Sequence, residues 1–201
     1  MPFPTEDECA CGPLIPDLLV APTVAQLAEF SVRLVDRSVP QSSRYKIADV
    51  AMVAQRSMPR YPAGYDGTVT EDDQRLYVLA AEERAIAFVL TAFATRFWRL
   101  SWRVDGTIEL LQNEALLHRG PKVGRVWVAS EKRCRGFSAR LIEVAAQHLG
   151  VEVPALGWEL PFSPAGMALV RHLLPSTFYG CGDCYALRQA INPQAVSQDA
   201  I

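Results

Sequence analysis

The sequence has 201 residues, half of them hydrophobic, and its 20 basic side chains nearly balance 22 acidic ones. This size and composition predict one folded domain with tails, and the near-neutral charge gives no overall field that favours nucleic acid as a partner. No apolar run reaches the roughly 18 to 20 residues that span a bilayer, and the N-terminus has acids and prolines where a signal peptide has positive charge. We therefore expect a soluble cytoplasmic protein without a membrane partner, and the sequence leaves its oligomeric state open.

The five cysteines make an odd count, which argues against a disulfide framework and fits a reducing compartment. Cys181 and Cys184 have the CxxC spacing of some zinc and redox sites, and Cys9 and Cys11 could supply two more thiolates. The first pair has only one intervening residue, however, and no two histidines are suitably spaced to complete a site. We therefore predict no metal and interpret the CxxC segment as a tight turn with a buried thiol.

Composition divides the chain into three parts. Residues 1–22 hold five of the fourteen prolines and show little periodicity, which predicts an irregular arm with a short docking segment at 14–20. Residues 23–190 are predicted to form the folded domain. The polar residues 191–201 are predicted to be a flexible tail.

Two helices are predicted at the start of the folded domain. Apolar residues recur with helical spacing from Thr23, a suitable N-cap, until Pro40 ends the first helix. The second helix is predicted from about Ser42 to Met58. Residues 60–67 form a loop by their proline and glycine content, and the two tyrosines in this loop either line a cleft or pin the loop to the core.

A hairpin follows, with strands predicted at 75–81 and 85–94 and an acidic turn between them. Residues 107–119 fit either a further strand with a connector or a short helix, and the pattern does not decide between these alternatives. Gly120-Pro121-Lys122 is predicted to break the chain before the next strand.

The stretch from Val123 to Gly150 predicts a valine-rich strand, a charged turn and an amphipathic helix. A turn that leads into a helix N-terminus presents backbone N–H groups without internal partners, and such a site suits a phosphate. Arg133 and Arg135 add positive charge, and Gly136 lets the backbone approach a ligand closely. The residues predicted to share one face of the helix are Leu141, Val144, Ala145 and His148.

The last part of the domain is predicted to begin with a strand at 155–160. Pro164 suits the first turn of a helix that has Ser163 as its N-cap and ends at Pro175. Residues 177–188 are predicted to supply the final strands, with two glycines allowing a tight reversal.

The segment Arg133–Ser138 resembles the coenzyme A pyrophosphate loop of GNAT N-acetyltransferases. The pattern of that loop is Arg or Gln, two residues, Gly, one residue, then Gly or Ala; Ser138 in the last position departs from it. The longer segment from Val126 to Glu143 resembles the catalytic domain of the sister-chromatid cohesion acetyltransferases, the ESCO-type branch. The resemblance covers roughly residues 70 to 190 and rests on Val126, Trp127, Val128, Ser130, Arg133, Arg140, Ile142 and Glu143.

This resemblance implies an α/β (α+β) GNAT fold, with a mixed, mostly antiparallel central sheet, helices on both faces and a splayed central strand pair. It also implies acetyl-CoA as the cofactor. The cohesion enzymes carry a Cys/His zinc finger ahead of the catalytic domain, and this sequence has no such ligand set, which weakens any inference of work on chromatin. The cofactor-binding residues implied are Trp127, Val128, Arg133, Cys134, Arg135, Gly136, Phe137, Ser138 and Ala139.

The catalytic residues are less well indicated. Many GNAT enzymes carry a glutamate on the central strand, but here Lys122 and its neighbours occupy that region. Glu143 matches a glutamate held to be catalytic in the cohesion family, yet its spacing from Arg140 and Gln147 is also that of a solvated helix face.

The cohesion family also has an aspartate after a Phe-Ser pair, and Pro164 stands in that position here. Glu159 and Ser163 are therefore candidates for part of the aspartate's role, although a helix cap is the commoner function for such a serine. Tyr179 and Tyr185 are candidates for protonating the leaving thiolate, with a packing role at a sheet edge as the alternative.

These features predict an acetyl-CoA-dependent N-acetyltransferase that acts on an amine, with a protein lysine as the expected acceptor. One alternative is a non-catalytic acyl-CoA-binding or protein-interaction module that kept the fold and lost the acid–base residues. Another alternative is a small-molecule or nucleobase acyltransferase.

Overall fold

The computed structural model of the protein describes residues 12, 14–56 and 74–192. The predicted loop at 60–67, the predicted end of the second helix at Met58, and Cys9 and Cys11 lie outside these residues. The described strands are β1 Thr23–Leu27, β2 Phe30–Val35, β3 Arg75–Ala81, β4 Arg84–Trp102, β5 Ile108–Leu110, β6 Leu116–Val128, β7 Gly157–Glu159 and β8 Thr177–Cys181. The described α-helices are α1 Gln41–Arg56, α2 Phe137–Leu149, α3 Pro164–Leu173 and α4 Cys184–Ile191.

The eight strands form one mixed sheet in the order β1-β2-β3-β4-β6-β7-β8, with β5 added to β4 and a further pairing between β4 and β8. The pairs β6–β7 and β7–β8 are parallel. The pairs along β1 to β4, and those of β4 with β5 and β8, are antiparallel. The predicted fold class, a mixed and mostly antiparallel sheet with helices, is confirmed.

The chain forms two compact units. The first is Met1–Thr91 with Arg125–His148, and the second is Ala92–Gly124 with Leu149–Ile201. The domain limits expected at residues 22 and 191 stay predictions.

The predicted helix from Thr23 is wrong, because these residues form the antiparallel hairpin β1–β2. Apolar positions such as Leu27, Phe30 and Leu34 fit a helical stripe, but the alternate residues of β2 are also the buried ones. β3 pairs with β2 from Ser31 to Val35, and packing within the sheet overrides the helical pattern of this stretch. Ala28 adopts a φ of 54° in the turn, a left-handed conformation typical of tight hairpin turns.

The predicted docking segment at 14–20 is present in the first unit. Pro16–Val20 forms a 3-10 turn, and Ile15 and Leu18 are buried. Arg33 donates a hydrogen bond to the Ala21 carbonyl at 3.0 Å, which ties the end of this segment to β2. Residues 15–21 are therefore held by burial and by a hydrogen bond from a side chain of the sheet to their backbone.

The predicted second helix is confirmed as α1 as far as Arg56, and it buries Ile47 and Ala48. These side chains join the core that the N-terminal segment shares with β2, β3 and β4. The main members of this core are Ile15, Leu18, Val35, Val39, Ile47, Leu76, Val78, Phe88, Leu90 and Trp127.

The helix α2 is confirmed where the sequence predicts it, and its C-terminal end contacts β3. The Tyr77 hydroxyl and His148 Nδ1 lie 3.0 Å apart in a hydrogen bond. Tyr77 is fully buried, and burial raises the pKa of its hydroxyl. The buried face of α2 consists of Leu141, Ile142, Ala145 and Ala146. The predicted stripe is therefore correct for Leu141 and Ala145 and wrong for the other two residues, because Val144 is half-buried and His148 is exposed.

In the second unit, the predicted break at Gly120-Pro121-Lys122 is wrong, because β6 runs through it. On its β7 side, β6 is paired only at Lys122 and Val123, so Pro121 removes no hydrogen bond from that ladder. The residues 107–119, for which strand and helix were both open, form β5 and the start of β6.

The strands β4, β6, β7 and β8 close into a ring, because β4 pairs with β8 as well as with β6. Phe97 of β4 lies inside this ring and is almost completely buried. A Cβ atom added to Gly157 would lie 2.2 Å from Phe97 Cε1, and one added to Gly120 would lie 3.2 Å from Phe97 Cζ. The two glycines therefore make the space that the phenyl ring fills.

The helix α3 is confirmed with its cap, since Ser163 Oγ accepts a hydrogen bond from Gly166 N at 3.1 Å and Pro164 stands in the first turn. The final strand prediction is correct for β8 and wrong beyond it. Asp183 caps α4 by accepting from Ala186 N at 2.7 Å, and Leu187 and Ala190 bury its inner face. The polar cap and the apolar spacing specify a helix here.

None of the helices within the described residues is both long enough and apolar enough to cross a membrane.

Candidate functional site

The turn between β6 and α2 lies within the first unit and has an unusual backbone. Cys134 has a φ of 60° and Gly136 a φ of 78°, both in the left-handed region. For a non-glycine residue such as Cys134 this conformation costs about 1 kcal/mol, so the surrounding structure must impose it. A Cβ atom added to Gly136 would meet nothing within 4 Å. The space beside Gly136 is therefore open to an approaching group.

The N-terminus of α2 opens directly from this turn. Arg140 N donates to Gly136 O at 3.1 Å, the first hydrogen bond of the helix. The N–H groups that precede it, from Phe137 to Ala139, have no partner within the helix, and they point along the positive end of its dipole. The first turn of α2 carries no acidic residue. These features suit a bound anion.

Arg133 is the best-placed cation of the turn. Its Nε donates to the Val128 carbonyl at 3.2 Å, which holds the start of the guanidinium against the end of β6. The rest of the side chain is exposed, as are Cys134 and Arg135. The chemistry of this donor set, exposed guanidinium groups beside free backbone N–H groups, fits a pyrophosphate.

Two aromatic residues predicted at this site are anchors within the first unit. Trp127 is buried and stacks on Phe88 with ring centroids 5.6 Å apart. Phe137 packs edge-on against Phe30, with centroids 5.1 Å apart. Both rings hold the turn between β6 and α2 in place by packing. At these two positions the side chain is therefore engaged, and the backbone is the part that a ligand can contact.

The second unit contains a cluster of titratable groups on the parallel strands β6, β7 and β8. Lys122 Nζ of β6 lies 3.3 Å from Glu159 Oε2 of β7. Cys181 of β8 is the register partner of Glu159 and is buried. The sequence predicts Glu159 as a candidate residue but not Lys122 as its partner, because only the pairing of β6 with β7 brings the two together. The signal available in the sequence was Lys122 itself, a charged residue within a valine-rich strand.

Burial raises the pKa of the Cys181 thiol from 9.0 to about 12, while Lys122 lowers it and Glu159 raises it to smaller extents. Cys181 is therefore a neutral thiol at physiological pH. It is the buried thiol expected in the CxxC segment, and Cys184 is exposed. Within the described ranges, no three His, Cys, Asp or Glu side chains are grouped as a metal site would need.

The Cys181 thiol makes stability depend on alkaline pH. Its folded pKa lies above the unfolded value, so its contribution is complete below pH 9 and is lost as pH rises towards 12. Above pH 9, we expect the free energy of unfolding to fall as the pH rises. This fall should be steeper in the unmodified protein than in Cys181→Ala, by up to about 1.4 kcal/mol for each pH unit. Urea unfolding under reducing conditions at a series of pH values measures this slope. Cys184→Ala is the matched control and should keep the steeper slope; equal slopes in all three proteins would contradict the assignment.

The other predicted catalytic residues have varied settings. Glu143 is exposed on α2, on the outer side with Arg140 and Gln147. In the second unit, Ser163 is occupied as the cap of α3, and the Tyr185 side chain is 59% exposed on α4. Tyr179 is half-buried and packs edge-on against Phe97. Thus the predicted cofactor-binding residues and Glu143 belong to the first unit, whereas Glu159, Ser163 and both tyrosines belong to the second.

No protein-family model and no curated protein matches this sequence. Among solved structures, the chain is similar to the xEco2 acetyltransferase domain bound to a CoA conjugate, with a TM-score of 0.65 and 11% identity over 81% of this chain and 98% of that domain. A second structure of the xEco2 acetyltransferase domain has a TM-score of 0.58 and 13% identity, over 81% of this chain and 96% of that domain. The chain has the GNAT fold.

The match covers 98% of the xEco2 domain, so the similarity extends beyond one motif. At this level of identity it concerns the fold alone. Function in a GNAT fold must be argued from the side chains of this chain, because one fold hosts many chemistries.

Proposed function

We propose that the protein is an acetyl-CoA-dependent N-acetyltransferase. The observation that carries the proposal is the turn with Arg133 and Gly136 at the N-terminus of α2, in a chain of GNAT fold. The xEco2 domain was solved bound to a CoA conjugate, which supports a CoA-type ligand here as well.

The turn between β6 and α2 would hold the pyrophosphate of acetyl-CoA. Arg133 and Arg135 provide charge, the first N–H groups of α2 provide hydrogen bonds, and Gly136 leaves room for close approach. Ser138 and Ala139 are half-buried and contribute backbone N–H groups from the same helical turn. Bound acetyl-CoA supplies an activated acetyl thioester, whose C–S bond is exchanged for a C–N bond to an acceptor amine.

The amine must lose a proton in this reaction, and the departing sulfur must gain one. We assign the first task to Glu159, because among the predicted catalytic residues of the second unit its carboxylate is the group that can accept a proton without giving up a helix cap. Tyr179 and Tyr185 are the candidates to donate a proton to the sulfur. Glu143 on α2 is the alternative proton acceptor.

A protein lysine is the proposed acceptor. The support is the likeness in fold to an acetyltransferase domain with a CoA conjugate, together with the sequence resemblance to the cohesion branch. A small-molecule or nucleobase acceptor remains the alternative. A panel of amines that includes lysine peptides, free polyamines and nucleobases, assayed for acetylated product by mass spectrometry, decides between these acceptor classes.

Charge reversal at Arg133 tests the donor site. Arg133→Glu is expected to weaken acetyl-CoA binding by about 30-fold, since a charge-assisted phosphate contact is worth roughly 2 kcal/mol and the reversed charge repels the anion. Isothermal titration measures the change, and Arg188→Glu, an exposed arginine on α4, is the matched control that should leave binding unaltered.

A second ligand makes this test specific for the pyrophosphate. S-acetylpantetheine has the thioester but no pyrophosphate, so its affinity should be the same for Arg133→Glu as for the unmodified protein. An equal loss for both ligands would mean that the substitution disturbs the fold. Tight acetyl-CoA binding that survives Arg133→Glu would remove the turn from the proposed site.

A non-catalytic acyl-CoA-binding or interaction module is the rival function. The observation that favours it is Pro164, which stands in the first turn of α3 where the resemblance leads one to expect an aspartate. Acetyl transfer by the unmodified chain to any member of the amine panel excludes this rival. Binding of acetyl-CoA with turnover at background for every amine would favour it.

A further inference from the structure

A lysine of the neighbouring strand lies beside the Glu159 carboxylate. Lys122 of β6 pairs with Gly157 of β7 in a parallel register. Side chains alternate along a strand, so Glu159, two residues beyond Gly157, lies on the same face as Lys122. The register of two parallel strands thus places an ammonium group beside the carboxylate proposed as the proton acceptor.

The Lys122 ammonium group directly contacts one of the two oxygens of the Glu159 carboxylate. Lys122 Nζ lies 3.3 Å from Glu159 Oε2, and the Lys122 side chain is only 24% exposed whereas that of Glu159 is 46% exposed. Within the part of the chain that the structure describes, Oε1 has no hydrogen bond or ion pair. One oxygen is therefore held by the protein, and the other is left for a substrate proton.

The second neighbour of the Glu159 carboxylate, Cys181, does not compete for this proton. Cys181 is the register partner of Glu159 and is a neutral thiol at physiological pH, because burial raises its pKa. A glutamate side chain has three rotatable bonds, and a half-exposed one samples several positions unless something holds it. Lys122 is the charged group that can restrict it.

We propose that Lys122 is a positioning residue, which holds the Glu159 carboxylate in place for proton transfer from the acceptor amine. This inference rests on the proposed acetyltransferase function. A partly exposed ion pair contributes little to stability, so the role of this pair is to restrict the carboxylate, and the expected effect on kcat is modest.

The test compares Lys122→Met, which keeps the length of the side chain without its charge, with Lys122→Arg, which keeps the charge. For an amine that the protein acetylates, Lys122→Met should lower kcat about 5-fold and leave KM within about 2-fold, while Lys122→Arg should restore kcat to within about 2-fold. In a Glu159→Gln background, Lys122→Met should cause no further loss, because no carboxylate remains to be positioned.

Lys46→Met is the matched control, since Lys46 makes an ion pair of the same kind with Asp17 at 2.7 Å in the first unit. It should change Tm by a similar amount to Lys122→Met and leave kcat unaltered. Additive losses in the double variant, an unchanged kcat in Lys122→Met, or equal losses in the Met and Arg variants would each overturn the inference while the acetyltransferase function stands. Absence of any acetyl transfer by the unmodified protein would overturn both.

Discussion

Glu159→Gln is expected to lower kcat/KM for acetyl transfer by about 100-fold or more, which is the usual contribution of a general base. The amide keeps the shape of the side chain but cannot take a proton from the acceptor amine. Steady-state assays that follow release of the CoA thiol measure the change. Binding of acetyl-CoA should be unaltered, because the proposed donor site lies on the turn that begins α2.

Two further glutamine variants make this result interpretable. Glu152→Gln, at an exposed position shortly before β7, is the matched control and should retain full activity. Glu143→Gln tests the alternative base on α2. If Glu143→Gln is inactive and Glu159→Gln is active, the proton acceptor lies on α2, and the inference about Lys122 is lost with Glu159.

Gly157→Ala is expected to destabilise the protein by about 3 kcal/mol, at the upper end of the range for an overpacked core. The added methyl group would lie 2.2 Å from Phe97 Cε1 and 2.8 Å from Phe97 Cδ1. Phe97 is 2% exposed inside the strand ring, so its ring has little room in which to move. Urea unfolding monitored by tryptophan fluorescence measures the loss.

The control for this substitution is Gly166→Ala in α3, where the added Cβ would meet Ser163 Oγ at 3.3 Å. Its effect should be within about 1 kcal/mol, since alanine also favours the helical backbone. Phe97→Leu removes the ring atoms that overlap, so adding it to Gly157→Ala should recover part of the lost stability. A mild effect of Gly157→Ala alone would show that the ring interior is less tightly packed than its geometry implies.

Local sequence signals predicted several elements correctly. The signals are apolar periodicity for the helix α1, a turn between two strand patterns for the hairpin β3–β4, and a cap for the helix α3. Each of these signals lies within the element itself or directly beside it in the sequence. The strand, turn and helix from Val123 to Gly150 were also predicted, because a change of period at a basic glycine turn is visible without any knowledge of the fold. These signals predicted the candidate donor site down to Arg133 and Gly136.

Other elements depended on partners that are remote in the chain. The pattern from Thr23 to Val35 fits both a helical stripe and a pair of strands, and β3 decides the matter by pairing with β2. Gly120 and Gly157 looked like chain breakers or plain strand residues, whereas in the ring both make space for Phe97. A glycine's packing role cannot be predicted before its neighbours across the sheet are known.

The sequence by itself determined the composition of the candidate pyrophosphate turn, since its charges, its glycine and the helix that follows are contiguous. Only the tertiary structure decided that, of the candidate catalytic carboxylates, Glu159 has a lysine as an ion-pair partner. The parallel pairing of β6 with β7 places Lys122 beside Glu159, and the pairing of β7 with β8 adds Cys181. Strand register is a long-range property, because a shift by one residue would turn Glu159 to the opposite face and away from Lys122.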